Sequence, residues 1–97
     1  MKKNDPKIKE IFNSALENHK KNNFQKAEKL YNEVIKLDSS HFDATFYLGQ
    51  LFMKNRMAEK AIPNYKKTLK IKPDFIEGYI ALGNALKYLK KFKEAIF

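Results

Sequence analysis

The chain has 97 residues, which fits one small domain and leaves little room for an enclosed active site. It contains no cysteine, which excludes disulfides and thiolate metal sites. The formal charge is +9, but nearly all the cations are lysine, and Arg56 is the single arginine. Glutamates are interleaved with the lysines. This pattern favours a solvated surface over guanidinium-based recognition of nucleic acid.

The first predicted helix begins at Pro6. Asp5 supplies a side-chain acceptor at the cap position, and proline suits the first helical residue because its missing amide hydrogen would have no partner there. Apolar residues then recur at helical spacing along one face, as far as about Lys20. These residues are Ile8, Ile11, Phe12, Ala15 and Leu16.

Asn22 and Asn23 separate the first helix from the second. Asparagine tolerates the left-handed backbone conformation and is a good N-cap, so we expect the chain to turn here. The second helix again has one apolar face. Its apolar residues are Phe24, Ala27, Leu30, Tyr31, Val34 and Ile35.

The third and fourth helices are predicted in the middle of the chain. Ser40 with Asp43 three residues later resembles a capping box, which predicts that the third helix starts there. The fourth helix is predicted from about Ala58 to Lys70. Pro63 lies inside it and can cost up to about 3 kcal/mol in a helix interior, so we expect a kink after the first turn.

Two further helices are predicted after Pro73. Asp74 with Glu77 forms a second capping-box pattern, which predicts the start of the fifth helix. A sixth helix is expected to begin near Phe92, after a turn at Lys90.

Small and aromatic residues recur at a spacing of 34 residues. The recurring residues are Ala27, Ala61 and Ala95, Tyr31 and Tyr65, Leu48 and Leu82, and Gly49 and Gly83. A period of this length with two amphipathic segments per unit indicates a helical repeat protein. We expect Gly49 and Gly83, together with the alanines, to allow paired helices to approach closely.

Two motifs resemble the signature of the tetratricopeptide repeat (TPR) family. One is Leu48-Gly49-x-x-Phe52 followed by Ala61-x-x-x-Tyr65-x-x-x-Leu69-x-x-x-Pro73, and the other is Tyr79-x-x-Leu82-Gly83-x-x-Leu86 followed by Phe92-x-x-Ala95. The resemblance covers nearly the whole chain. The departures are local: Ser14-Ala15 stands where Leu-Gly is usual, and the turn glycine is replaced by Asn22, Arg56 and Lys90.

The resemblance implies an all-α fold, a right-handed superhelical solenoid of antiparallel helix pairs. It implies a single domain over residues 1–97, with repeat units at about 8–41, 42–75 and 76–97, the last of them incomplete. Because the chain stops about one turn into its last helix, we expect it to belong to a longer array and its third unit to fray first.

In this family the first helices of the repeats line a concave groove that usually holds an extended or helical peptide. Residue by residue, the resemblance assigns to this groove Phe12, Leu16, His19, Lys20, Phe46, Gln50, Met53, Lys54, Ile80, Asn84, Lys87 and Tyr88. The set is apolar in the middle with cationic and amide edges. The alternative for Phe12, Leu16 and Phe46 is that they pack only against neighbouring helices.

Chaperone-binding members of the family hold a terminal carboxylate with a clamp of Lys, Asn and Arg side chains. At the matching positions this chain has Phe12, Leu16, Tyr47, Glu77 and Ala81. None of these side chains can hold a carboxylate, and Glu77 would repel one. The expected partner is therefore not a chaperone C-terminal tail.

Residues 71–82 are similar to repeats that precede the catalytic domains of O-linked N-acetylglucosamine transferase and of related bacterial glycosyl- and sulfotransferases. Asn84 matches one site of the asparagine ladder common in those repeats, but Tyr47 and Ala81 occupy others. A substrate-recruiting segment of a larger transferase is therefore an alternative function.

No motif predicts catalysis, a cofactor or a metal site. His19 and His41 are the only histidines, and His41 with Asp43 lacks a third ligand. No apolar run suits a secretion signal or a membrane span, so we expect a cytoplasmic protein. The leading interpretation is a non-catalytic protein–protein interaction scaffold that binds a protein or peptide, and a lysine-driven binder of RNA or membrane surfaces is the second alternative.

Overall fold

The computed structural model describes residues 5–96, which form five α-helices and no strand. The helices are α1 (Pro6–Lys20), α2 (Phe24–Leu37), α3 (Phe42–Lys54), α4 (Ala58–Ile71) and α5 (Ile76–Ile96). Each helix packs against its neighbours in the chain, and α3 also contacts α1 and α5. Short turns make consecutive helices antiparallel, so the molecule is an elongated stack of helix pairs measuring 48 × 30 × 17 Å.

The turns inside the first two helix pairs have the same backbone geometry. Asn22 and Arg56 adopt left-handed backbone, with φ of 58° and 61°. The amide of the following residue then bonds back five residues, Asn23 to the carbonyl of Asn18 and Met57 to that of Phe52, both at 2.8 Å. This closure satisfies carbonyl groups at the helix end, and it confirms the turn predicted at Asn22.

The start of α1 agrees with its prediction, whereas the start of α3 does not. The Asp5 carboxylate accepts the amide of Lys7 at 2.8 Å. At α3 the cap is His41, whose Nδ1 accepts the amide of Ala44 at 3.0 Å, while the Ser40 hydroxyl donates back to the Asp38 carboxylate at 2.8 Å. The predicted Ser40–Asp43 capping box is therefore wrong, because Asp38 binds the serine in the turn.

Two predictions for the last helix are also wrong. α5 begins at Ile76, so its cap position is Phe75 and not Asp74, and no Asp74–Glu77 capping box opens it. α5 then continues for 21 residues through Lys90 and Phe92, so no sixth helix begins there. The segment around Lys90 is rich in lysine and leucine and has no glycine, asparagine or proline, so it lacks a residue that favours the left-handed turn.

The core is centred on two tyrosines at equivalent positions in the second helices. Tyr31 and Tyr65 are fully buried, as are Ala27 and Ala61, which confirms the close packing expected of the recurring alanines. α4 passes close to α3 at Gly49, where a Cβ atom would lie 2.7 Å from Cε1 of Tyr65. This contact confirms the predicted role of Gly49.

Gly83 has no comparable contact, although it stands one repeat after Gly49. A Cβ atom there would meet nothing within 4 Å, and Ala95 is exposed. The expectation that Gly83 and Ala95 join paired helices is therefore wrong for this structure. α5 continues as far as Ile96, and within residues 5–96 no helix packs over Gly83.

Candidate functional site

The candidate site lies on the side of the stack formed by the first helices of the pairs. α3 contacts both α1 and α5, so these three helices form a continuous surface, here called the groove face. It carries the predicted groove residues, but the structure does not present them equally. They fall into a central depression, an aromatic platform, a polar cluster at the end of α1, and outlying residues.

The central depression lies between α3 and α5 and has a volume of about 260 Å³. Its lining residues are Gln50, Met53, Tyr65, Ile80, Ala81 and Asn84. Four of them, Gln50, Met53, Ile80 and Asn84, were predicted from the sequence. Ile80 is 60% exposed, so its apolar side chain is available for contact.

Gln50 is held in place by the buried core. The Tyr65 hydroxyl donates a hydrogen bond to Oε1 of Gln50, and burial raises the pKa of Tyr65 to about 12, so this donor stays protonated at neutral pH. The bond fixes the amide with its oxygen inward. The NH₂ group of Gln50 then remains as a donor at the depression, opposite the exposed Asn84.

Phe46 is a core residue and is only 7% exposed. Its ring packs between those of Tyr65 and Phe75, with centroid distances of 5.7 and 4.9 Å. Of the two interpretations that the sequence leaves open for Phe46, the structure therefore supports packing against neighbouring helices. A ligand on the groove face would reach little of this side chain.

Tyr47 occupies the surface position that the sequence interpretation gives to Phe46. Tyr47 is 37% exposed, and its ring centroid lies 6.1 Å from that of the half-buried Phe12. The two rings form an aromatic platform beside the depression. Phe12 is supported from behind by His41 at 4.9 Å. The signal for Tyr47 in the sequence is its match to a family ladder site, where it stands in place of asparagine.

A polar cluster joins the end of α1 to α2 and α3. Nδ1 of His19 lies 2.7 Å from the Tyr31 hydroxyl, and Nζ of Lys54 donates to the His19 carbonyl at 3.1 Å. Burial and, to a smaller extent, the positive charge of Lys54 lower the pKa of His19, while burial raises that of Tyr31. The imidazole is therefore neutral at pH 7, and the cation within this cluster is Lys54.

The remaining predicted residues lie at the margins of the groove face. Leu16 is half-buried against the core, and Lys20 and Lys87 are exposed. Tyr88 belongs to a different depression, of about 520 Å³, between the α3–α4 turn and α5. Its neighbours there include Met57, Ala58 and Phe92, so the structure does not bring Tyr88 to the central depression.

Within residues 5–96 no three His, Asp or Glu side chains gather in a way that could hold a metal ion. His41, considered above as a possible ligand, binds the α3 amide of Ala44 with its Nδ1 atom. No helix in this part of the chain combines the length and the apolarity needed to cross a bilayer.

Comparisons with known proteins agree with the helical repeat fold. The tetratricopeptide repeat model matches residues 11–41 and 46–75. The chain is 30% identical over 95 residues to a protein STIP1 homolog of Dictyostelium discoideum, covering 98% of this chain but 17% of that protein.

Two solved structures of MamA are also similar to this chain. One superposes with a TM-score of 0.83 at 28% identity, over 92% of this chain and 49% of that one. The other has a TM-score of 0.77 at 27% identity, over 93% and 61%. The chain thus spans less than two thirds of the length of each of these relatives.

Proposed function

Because the chain belongs to the tetratricopeptide repeat family, we propose that it is a non-catalytic interaction scaffold that binds a protein segment along its groove face. The observation that carries this proposal is the central depression, where the exposed Ile80 lies beside the amides of Gln50 and Asn84. Apolar surface supplies affinity, and amides pair with the backbone polar groups of a bound segment, which would otherwise lose their hydrogen bonds to water.

The lysines at the margins support an acidic character for the proposed partner. Lys20, Lys54 and Lys87 are all exposed on or beside the groove face. They favour encounter with a segment that carries acidic residues between its apolar anchors, and their effect is on the association rate more than on the lifetime of the complex.

A free carboxyl terminus is not required of this partner. The positions at which chaperone-binding relatives carry clamp residues hold the aromatic platform of Phe12 and Tyr47, together with Ala81 in the wall of the depression. These side chains provide apolar contact and no cation. The proposed ligand is therefore an internal segment with apolar anchors.

The test starts from peptides of random sequence selected for binding to the immobilised chain. Fluorescence anisotropy then measures the affinity of selected peptides for the wild type and for the double variant Tyr47→Ala, Ile80→Ala. Each truncation removes an exposed anchor. We therefore expect the Kd of the double variant to be about tenfold higher or more, at unchanged helix content. Ile76→Ala is the matched control, because it removes the same side chain from another side of α5.

Charge variants test the second part of the proposal. Lys54→Gln combined with Lys87→Gln is expected to flatten the dependence of the association rate on salt while changing the dissociation rate little. Phe46→Ala is unsuitable for either test, because it would open a cavity in the core. Equal binding of the selected peptides to the wild type and to the Tyr47→Ala, Ile80→Ala variant would refute the groove face as the binding surface.

The recruiting segment of a transferase and the lysine-driven binder of RNA or membranes remain predictions. Unselective RNA affinity that falls steeply with salt would favour the latter.

A further inference from the structure

The outward surface of the two second helices carries an excess of lysine. It is called here the lysine face, and its lysines are all exposed: Lys26, Lys29 and Lys36 of α2, and Lys60, Lys66, Lys67 and Lys70 of α4. At 100° per residue, the lysines of α4 lie about 100–220° around the helix axis from Tyr65, and those of α2 occupy the same arc relative to Tyr31. Because the fully buried Tyr65 also lines the central depression, the lysine face lies on the other side of the stack from the groove face.

Few carboxylates balance the charge of this face. The same arc of the two helices contains Glu33 and Glu59, so seven lysines and two glutamates give it a net charge of +5. In the part of the chain that the structure describes, the single ion pair is Lys21 with Glu17 at 3.2 Å, so no lysine of the face is bound to a carboxylate. Like charges at close helical spacing destabilise a helix, whereas an anionic partner would make the same spacing favourable.

The chemistry of the face favours a lipid surface over a nucleic acid. It has no arginine to bind phosphate bidentately, and it offers no aromatic ring on which a base could stack, since Tyr31 and Tyr65 are fully buried. From Lys60 to Lys70 the face presents point charges along about 15 Å of helix. Lysine clusters of this size on a helical surface are typical of contact with anionic headgroups, which can move laterally in a bilayer to meet them.

We propose that the lysine face binds the surface of a bilayer that contains anionic phospholipids, with α2 and α4 against the headgroups. The contact is electrostatic and peripheral, because Pro63 is the one apolar residue in the arc and no large apolar side chain is present to insert. In this orientation the groove face points away from the bilayer and stays open to a protein segment. The membrane contact itself does not depend on what the groove face binds.

The test measures sedimentation of the full chain with vesicles at low salt. The vesicles consist of phosphatidylcholine alone or of phosphatidylcholine with phosphatidylserine, and we expect binding only to those with phosphatidylserine. The variant Lys67→Gln, Lys70→Gln should bind them at least about tenfold more weakly, since each lysine near an anionic surface contributes about fivefold. Glutamine forms helices about as well as lysine, so circular dichroism should show unchanged helix content.

A matched variant separates the lysine face from net charge alone. Lys9→Gln, Lys20→Gln removes the same two charges from exposed positions of α1, on the side of that helix away from the fully buried Ala15 and therefore away from α2. We expect it to weaken vesicle binding by about threefold at most, because salt screens charges that lie more than about 10 Å from the surface.

Single labels report the orientation directly. The chain has no cysteine, so Pro63→Cys and Asn84→Cys each give one site for a fluorophore, the first at the centre of the lysine face and the second exposed on the groove face. A nitroxide-bearing lipid in the vesicles should quench the fluorophore of the Pro63→Cys variant and leave that of the Asn84→Cys variant almost unchanged.

Four results would overturn the proposal. One is a wild-type chain that does not bind phosphatidylserine vesicles, and another is equal vesicle affinity of the wild type and Lys67→Gln, Lys70→Gln. An equal loss in Lys9→Gln, Lys20→Gln would reduce the binding to net charge. If RNA of random sequence displaced the chain from the vesicles and its own binding depended on Lys67 and Lys70, a nucleic acid would be the partner instead.

Discussion

Gly49 and Gly83 stand at equivalent positions of successive repeats, and we expect the same substitution to affect them differently. Replacement of a helical glycine by alanine stabilises a helix by about 1 kcal/mol through backbone entropy. At Gly83 this gain is unopposed, because a Cβ atom there meets nothing within 4 Å. Gly83→Ala is therefore expected to stabilise the chain by about 1 kcal/mol.

At Gly49 the same gain is opposed by overpacking. The added Cβ would lie 2.7 Å from Cε1 of Tyr65 and 3.2 Å from Cζ. The ring cannot swing away freely, because it is fully buried, packs on Phe46 at 5.7 Å and is tethered by its hydroxyl to Gln50. Overpacking of this kind costs about 1–3 kcal/mol. The net effect of Gly49→Ala is thus between about neutral and 2 kcal/mol destabilising.

The comparison of the two variants isolates the clash, because the helix-propensity term is common to both. Their free energies of unfolding should differ by about 1–3 kcal/mol, which for a domain of this size corresponds to about 4–8 °C in Tm per kcal/mol. Thermal unfolding followed by circular dichroism, with urea unfolding as a second measure, gives this difference. Equal stability of Gly49→Ala and Gly83→Ala would show that α4 does not approach α3 closely at Gly49.

Two further predictions concern a turn and a pH dependence. Arg56 has a left-handed backbone with φ of 61°, which costs most side-chain-bearing residues about 1–2 kcal/mol, whereas asparagine tolerates it. Arg56→Gly should therefore raise the free energy of unfolding more than Asn22→Gly does. A larger gain at Asn22 would contradict this reasoning. Burial and then Lys54 lower the pKa of His19 below its usual 6.5, so the unfolded chain binds the proton more readily. The free energy of unfolding should therefore fall as the pH decreases through 6.5 and level off below the folded-state pKa of His19. Urea unfolding between about pH 7 and 5 should show a smaller fall in this free energy for His19→Gln than for the wild type.

The first two repeats could be predicted from the sequence because their determinants are local. The cap at Asp5 and the left-handed turn at Asn22 follow from the properties of single residues and their immediate neighbours. The spacing of alanine and tyrosine then determined which helix faces meet. Ala27 and Ala61 recur at a period of 34 residues, as do Tyr31 and Tyr65, and all four are fully buried. Helix start signals were less certain, as the competition of Asp38 for Ser40 shows.

The candidate site was only partly predictable. The family resemblance pointed to the amide and apolar residues of the depression, but it left the exposure of Phe46 open and did not assign Tyr47 to the groove. Neighbouring residues on a helix point about 100° apart, so the orientation of α3 about its axis decides which of the two side chains faces the surface. This orientation depends on the packing of Phe75 and Tyr65 against Phe46, and these contacts join residues far apart in the sequence.

The sequence by itself determined the helical repeat, the pairing of the first four helices and the close approach at Gly49, because these depend on side-chain size at a regular period. Only the tertiary structure decided the fate of the third unit. Its signature residues Gly83 and Ala95 are present, yet among the described residues no helix packs over Gly83. A repeat motif specifies which surfaces fit together, but the chain must also turn to bring them together, and lysine and leucine around Lys90 favour continuing the helix. Within residues 5–96, Tyr79, Gly83 and Leu86 of this unit are therefore exposed.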